Sequence, residues 1–510
     1  IVSSLKRAFP SVVFNNPQDA VATTINFAVK GFANKELLDL FDAAGIRVSS
    51  GSACGSAVVG SYVLDAMGLP RWRSEGAIRM SFGPLTTESE INAACERIED
   101  AGRALCDSCL VLSDDSNTVT SEPVDGLVQL KNGSDCTWLL MDKETSNCVV
   151  IDPFESLSGR AESLIRCQKS NVLAILDSHA HVDHDSCRGE LLKSVSDFAD
   201  PLAHTNDELG WPETSAGTVK LDDDSEAPFI EFSKNRIVAQ VSLPGHTKVG
   251  RAYFVGEKTA DDRLPADAIE FAFSGDMILM GGIGRTDFPC SSIEDMYSSL
   301  QRLPKLISPE TILCPTHDYN NEFATTFECE RNGNTFLSSI VCSQSPISLD
   351  SFLELKPTVD AGITDAANSE LVCGLIKETS ETCPSALEVP RGQLKEFFAE
   401  HRDSRIIDVR EPHEFSFAQD WSEFGLKNPP ENVPLTRLSG FLPELLRSLR
   451  SQDTSQDIIF LCRSGRRSGV AAAVAQRIGI KTAKHISGGI ALNVATKCVA
   501  EEWAEPGYMI

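Results

Sequence analysis

The 510-residue chain is short of positive charge and has few aromatic rings (7%), and it lacks any long apolar run. Only 46 Lys and Arg stand against 73 Asp and Glu, a formal net charge of −27. That balance excludes nucleic acid as a partner, because affinity for a phosphate backbone is built from clustered cations. No stretch approaches the roughly 20 apolar residues of a membrane span, and no charged-then-apolar leader opens the chain. A soluble, intracellular protein without a membrane partner is therefore expected. The first residue is Ile1 and not Met, which fits a piece of a longer polypeptide and leaves cytoplasm and mitochondrion equally open. Among 16 cysteines there is a single C-x-x-C pair, Cys106 and Cys109. A zinc cross-brace needs a second such pair, so these cysteines read as reduced thiols. No internal repeat is present, which excludes a solenoid.

What is present suffices for several cores. With 42% hydrophobic residues, and at roughly 100–200 residues per domain, about three domains are expected. Charge changes along the chain: from Arg391 onward 16 basic and 15 acidic residues nearly cancel, so the acidic excess lies in the first 390 residues and a boundary falls between. Polar, Pro-containing stretches at 113–126 and 358–390 read as linkers, dividing the chain into segments 1–112, 127–357 and 391–510. In the middle segment, β-branched runs (CVVID, VLAILDSH, EFAFSGD, TILCPTHD) alternate with helical patterns, and each run ends in polar residues. Strand ends of this kind are where α/β sheets carry their chemistry.

In the first segment, Cys54 sits in VSSGSACGSA, a loop of small residues after the strand-like GIRV. Such a loop suits a thiol that must reach a substrate. The succession SSGSAC, SYVLDAMGL and AIRMSFGPLTTESEI resembles the C-terminal small domain of NifS/IscS-type cysteine desulfurases. The resemblance implies that Cys54 carries a persulfide and that Arg79 binds a substrate carboxylate. The family's large domain, with its pyridoxal phosphate lysine, would precede Ile1. Without that electron sink the C–S bond of cysteine is not activated, so pyridoxal phosphate is expected only in a longer parent chain.

In the second segment, SHAHVDH supplies His179, His181, Asp183 and His184, while PGHT, SGD and CPTHDY add His246, Asp276 and His317. Imidazoles and carboxylates at several strand ends predict a divalent metal site. The H-x-H-x-D-H pattern and its companions resemble the metallo-β-lactamase fold. The ligands leave two chemistries open. A glyoxalase II-like thioester hydrolase would hold two Zn or Fe ions, one on His179, His181 and His246, the other on Asp183, His184 and His317, bridged by Asp276. A persulfide dioxygenase would hold one Fe(II) on His179, His246 and Asp276. GGIGRTDF, followed by HDY, resembles the dioxygenases. By that resemblance Arg285 and Tyr319 hold a glutathione moiety and Asp287 orients Arg285. Two departures stand: Ile283 replaces a common Cys, and EKTADDRLPADAIE looks inserted.

In the third segment, CRSGRRS follows the apolar run DIIFL, placing Cys462 before a helix with Arg463, Arg466 and Arg467 close in sequence. Backbone N–H groups at a helix start and nearby guanidinium groups favour a thiolate. With IIDVREPHEF and ISGGI, the loop resembles a single-domain rhodanese, in which Cys462 would cycle between thiol and persulfide, supported by Asp408 and Arg410. The departure is Ser487, where many relatives are acidic.

The expected architecture is multidomain α/β: a partial class V aminotransferase small domain, an αββα metallo-β-lactamase sandwich and a rhodanese-like α/β domain. The expected function is oxidation of glutathione persulfide by O2 to sulfite and glutathione, coupled to sulfur transfer among thiosulfate, sulfite and glutathione persulfide. The alternative is a binuclear thioester hydrolase fused to a rhodanese, with the first segment a scaffold. A homo-oligomer is compatible with either.

Overall fold

The computed structural model describes residues 1–17, 19–50, 60–112, 122–180, 186–213, 216–341, 345–363, 372–373, 388–389, 394–417, 419–426, 428–451 and 456–491. These form two compact units, one of 1–122 with 410–423, the other of 123–409 with 424–510.

In the first unit, strands Val12–Phe14, Thr24–Val29 and Ile78–Ser81 make an antiparallel sheet in that order. Helices Val2–Ala8, Asn34–Ala43 and Glu88–Asp107 bury Leu5, Leu37, Leu40, Phe41, Ile98 and Leu105 with Phe27 and Ile78 of the sheet. The longest helix starts at Thr87, whose hydroxyl accepts from the Glu90 N–H while the Glu90 carboxylate accepts from the Thr87 N–H, satisfying two donors that the helix start leaves open. A Cβ on Gly102 would lie 2.6 Å from the Ala8 carbonyl oxygen, so the close approach of two helices requires glycine there.

The second unit contains a sandwich. Strands Gly126–Asn132, Asp135–Met141, Asn147–Ile151 and Asn171–Leu176 form one sheet in sequence order. The last pair is parallel, joined by the crossover helix Glu155–Gln168. The other sheet has seven strands, Gly217–Lys220, Glu226–Ser233, Arg236–Ser242, Arg251–Glu257, Ile269–Gly275, Ile312–Pro315 and Thr325–Thr326, again ordered as in the chain. Only Ile269–Gly275 and Ile312–Pro315 pair in parallel within it, across helix Ile293–Leu306.

Alternation along the strands explains the apolar runs. Phe271 and Phe273 face inward with Trp138, Ile151, Leu176 and Tyr253, whereas Ala272 between them faces outward with Met296, Leu300 and Phe352 of the covering helices. Both faces are buried, so the strands read as continuous apolar sequence. Helices Glu155–Gln168 and Arg188–Ser194 cover the smaller sheet. The layers are therefore helix, sheet, sheet, helix.

The same unit carries a parallel five-stranded sheet in the order Glu388–Val389, Ala483–Ile486, Ile458–Leu461, Arg405–Asp408, Glu431–Asn432. Helices Leu438–Ser451 and Arg466–Arg477 pack on it through Leu442, Leu445, Ala471 and Ala475. Arg477 joins this layer to the sandwich, donating to the Glu322 carboxylate at 2.7 Å and to its carbonyl at 3.0 Å.

Ten described cysteines are free thiols, and Cys136, Cys148, Cys187, Cys314, Cys373 and Cys462 among them are buried. Among the described residues no helix is long and apolar enough to cross a membrane.

Candidate metal centre and sulfur-transfer loop

Four strand ends deliver the candidate ligands. His179 follows Asn171–Leu176, His246 follows Arg236–Ser242, Asp276 follows Ile269–Gly275 and His317 follows Ile312–Pro315. Gly275 is paired with Pro315 in the parallel register, so Asp276 and the Thr316–His317 pair leave the sheet side by side. His179, His246 and Asp276 are buried and bring one donor atom each within 4.8 Å of one another.

Their partners fix which atoms face the centre. His246 Nδ1 donates to the Arg285 carbonyl at 2.8 Å, which leaves Nε2 carrying the lone pair. On the other side a chain of hydroxyls performs the same task. Thr316 Oγ1 donates to the Asp152 carboxylate at 2.6 Å and so accepts from Ser178 Oγ at 3.1 Å, which in turn accepts from His179 Nδ1 at 2.9 Å. Asp152 is fully buried, sits at a φ of 53° and also accepts from the Ser178 N–H at 2.6 Å. A non-glycine residue held in that region at the end of an apolar strand is costly, and such costs concentrate at functional sites. Asp276 is oriented by His317, whose Nδ1 donates to Oδ2 at 2.8 Å.

Two imidazole nitrogens and one carboxylate oxygen fit a divalent metal by donor type and spacing. The surroundings fit as well. A Cβ on Gly284 would lie 2.1 Å from the Asp276 carbonyl oxygen and 3.0 Å from His246 Nδ1, so that loop can close over the ligands only as glycine. His181, Asp183 and His184 lie outside the described residues.

The GRTDF loop is fastened from below by a pair the sequence did not reveal. Asp360 Oδ2 accepts from the Thr286 N–H at 2.9 Å and the Thr286 hydroxyl at 2.8 Å, while Lys356 Nζ donates to Asp360 and, at 2.8 Å, to the Gly284 carbonyl. Lys356 and Asp360 are buried, and burial pulls the Lys356 ammonium below its ordinary value despite the facing carboxylate. Arg285 forks onto Asp287 at 3.0 and 2.8 Å and lies over Phe288. The guanidinium holds the Asp287 carboxyl below the usual carboxylate range. Tyr319 stacks on His317, ring centres 5.4 Å apart.

The second cysteine site is a loop between strand Ile458–Leu461 and helix Arg466–Arg477. Cys462 is buried, and its sulfur accepts from the N–H groups of Gly465 at 3.1 Å and Ser468 at 3.4 Å. Gly465 takes a φ of 90°, which turns the chain back around the sulfur. The SGGI turn closes the other side: the Ile490 N–H donates to the Cys462 carbonyl at 3.0 Å, and a Cβ on Gly489 would lie 2.3 Å from that oxygen. Arg463 and Arg467 are half-buried and Arg466 exposed, all within the loop and first helical turn. Elsewhere burial pushes the thiols of Cys136 and Cys148 up to about 12, which suits packing and not chemistry.

Asp408 ends its strand fully buried, its carbonyl accepting from the Asn432 side chain and the Val433 N–H, both at 3.0 Å. Arg410 falls in the first compact unit, its guanidinium 5.8 Å from the ring centres of Phe415 and Trp421. In the same unit Arg79 occupies an exposed position of strand Ile78–Ser81, its backbone paired to Ser49. Cys54 lies outside the described residues.

Comparison with known proteins follows these divisions. The rhodanese-like domain model matches residues 391–492 and the class-V aminotransferase model residues 3–93. The mitochondrial persulfide dioxygenase ETHE1 of Bos taurus is 26% identical over 239 residues, covering 47% of this chain and 84% of that protein. The hydroxyacylglutathione hydrolase GloC of Haemophilus influenzae is 27% identical over 217 residues, covering 39% of this chain and 92% of its own length. The cysteine desulfurase IscS of Clostridium botulinum is 34% identical over 100 residues, which cover 19% of this chain but only 25% of the desulfurase. The chain thus joins a class-V aminotransferase fragment similar to cysteine desulfurases, a four-layered sandwich similar in sequence to persulfide dioxygenases, and a rhodanese-like domain.

Proposed function

We propose that the chain is an enzyme of sulfur metabolism that oxidises glutathione persulfide with O2 and water to glutathione and sulfite, at one Fe(II) on His179, His246 and Asp276. The observation that carries this reading is the buried meeting of His179, His246 and Asp276, one donor atom each within 4.8 Å of one another, in a domain whose sequence is similar to persulfide dioxygenases over 84% of the bovine protein. His317 spends its Nδ1 proton on Asp276 Oδ2 and so fixes the orientation of that carboxylate. Iron held by these two imidazoles and one carboxylate would supply the redox chemistry. The protein supplies the rest. The Asp152 hydroxyl chain and the Arg285 carbonyl keep both imidazoles in the ligating tautomer, and Lys356 with Asp360 sets the loop that presents Arg285 to a glutathione moiety beside Tyr319.

At the second site, the Cys462 thiolate would attack the outer sulfur of thiosulfate, releasing sulfite and leaving a persulfide for a glutathione thiolate to accept. In reverse, a glutathione persulfide and sulfite give glutathione and thiosulfate, so the product of the metal centre is a substrate of the loop. Cys54 and Arg79 complete the proposal as the positions of a persulfide carrier and a carboxylate binder, active in desulfuration only where a pyridoxal phosphate domain accompanies them.

The test is anaerobic loading with Fe(II), metal analysis, and oxygen-electrode assay with glutathione persulfide. One iron per chain and O2 uptake matched by sulfite release are expected. Two metals per chain with turnover of S-lactoylglutathione would instead establish the hydrolase, which the similarity to hydroxyacylglutathione hydrolases keeps as the second reading.

A further inference from the structure

Residues 358–390 read as a linker, yet two of them are among the best buried in the sandwich unit: Val372 is 4% exposed and Cys373 is fully buried. One peptide bond of this stretch is held at both ends. Its carbonyl, from Val372, accepts from Arg285 Nη1 at 3.0 Å. Its N–H, from Cys373, donates to the Tyr319 hydroxyl at 3.0 Å. Arg285 and Tyr319 are the two residues assigned to glutathione under the proposed function, on which this inference rests. Both stand one step from the ligands, Arg285 through its carbonyl on His246 and Tyr319 through its stack on His317.

The held group is the amide that precedes a cysteine. Glutathione offers the same group in the same relation to sulfur: its γ-glutamyl amide precedes the cysteine, with the thiol three bonds from the amide nitrogen. Free cysteine does not, because its nitrogen is an ammonium and carries no acyl oxygen. We propose that the Val372–Cys373 peptide is an intramolecular competitor of the glutathione-type substrate, occupying with its own cysteinyl amide the pair that reads the γ-glutamyl-cysteine amide of an incoming persulfide. The recognised class is then an N-acyl-cysteine persulfide. The neutral donor and acceptor of one amide fit a guanidinium already neutralised by Asp287 better than a second carboxylate would.

The experiment uses the full, metal-free chain. N-ethylmaleimide labelling of Cys373 is followed by peptide mass spectrometry as S-methylglutathione is raised, with S-methylcysteine as the comparison. Slow labelling that accelerates and saturates with S-methylglutathione, and does not respond to S-methylcysteine, is expected. Labelling that is fast without ligand, or that is indifferent to S-methylglutathione, overturns the proposal. In the iron-loaded chain, Cys373→Pro removes the N–H and should lower KM for glutathione persulfide several-fold, whereas Cys373→Ala keeps the N–H and should leave KM in place. An equal fall in both variants would make the thiol and not the amide the anchor, and would also overturn it. Absence of O2 uptake in the loaded chain would defeat the dioxygenase reading alone, since the labelling result needs neither metal nor turnover.

Discussion

Replacing Gly284 by alanine tests the proposed metal centre at its tightest point. The added Cβ would lie 2.1 Å from the Asp276 carbonyl oxygen and 3.0 Å from His246 Nδ1. Both belong to the candidate ligand group, and the nearer contact is backbone, so no side-chain rotation relieves it. Restoring ordinary contact requires a relative shift of about 1 Å, and a misplacement of that size at a reacting centre costs on the order of 100-fold in rate. Overpacking of a filled interior adds roughly 1–3 kcal/mol of destabilisation. The Gly284→Ala chain should therefore bind substoichiometric iron after anaerobic loading, lose O2 uptake by about two orders of magnitude, and melt several degrees lower. Gly159→Ala is the matched control, because Gly159 lies on the exposed face of helix Glu155–Gln168 and its Cβ meets nothing within 4 Å. That change should raise stability by about 1 kcal/mol. Full iron occupancy and wild-type O2 uptake in Gly284→Ala would refute the assignment of this loop to the metal centre.

Lys356→Ala should destabilise the second unit by roughly 3–5 kcal/mol, because it leaves the Asp360 carboxylate buried without its cation. Chemical denaturation of the full chain checks this, and Lys356→Ala with Asp360→Ala together should cost less than Lys356→Ala alone. Gly489→Ala, whose Cβ would strike the Cys462 carbonyl, and Cys462→Ser should each abolish sulfur exchange between thiosulfate and glutathione persulfide in a coupled assay. The pH dependence of stability can be traced to Asp207. Burial raises its carboxyl, but the Arg251 fork at 2.6 and 2.9 Å and two backbone N–H groups outweigh that and hold it low. A depressed carboxyl contributes stability that is present above its unfolded value and is lost as pH falls through its folded value. The melting-temperature gap between wild type and Asp207→Asn should thus be constant near neutrality and close below the ordinary carboxylate range.

The three-part organisation was legible because each part carries local order: apolar runs ending in SHAHVDH, SGD and CPTHDY announce strand ends, and CRSGRRS announces a strand, a turn and a helix. The candidate group His179, His246 and Asp276, which the structure brings together, was legible for the same reason. What escaped notice is what only the fold brings together. Lys356 lies in an ordinary helical pattern, where a lysine reads as solvated, and Asp360 beyond it falls in a stretch taken for linker. Ser178 and Thr316 look like spacers beside histidines, and Asp152 like the polar end of a strand. Residues 410–423 belong by sequence with the rhodanese motifs but by contact with the first compact unit, where Phe417 joins the apolar core. The one available signal was Asp152 itself, a carboxylate closing a fully apolar run with nothing nearby in sequence to pair it.

The hydroxyl chain ending on Asp152 has a mechanical side. Asp152 and Ser178 follow strands of the four-stranded sheet, whereas Thr316 follows a strand of the seven-stranded sheet. The proton on His179 is thus assigned by an agreement between two sheets, which backbone bonds from the Cys136 N–H to the Thr316 carbonyl at 2.9 Å and from the Arg251 N–H to the Ser178 carbonyl at 2.8 Å tie together at this point, so a shift of one sheet over the other would be felt along the whole chain of hydroxyls. Core substitutions far from the histidines, at Trp138 or Phe273 for instance, would then register first as a change in the ligand field of a bound ion. The absorption or resonance spectrum of a cobalt- or iron-loaded chain would serve as a gauge of how well the sandwich is packed.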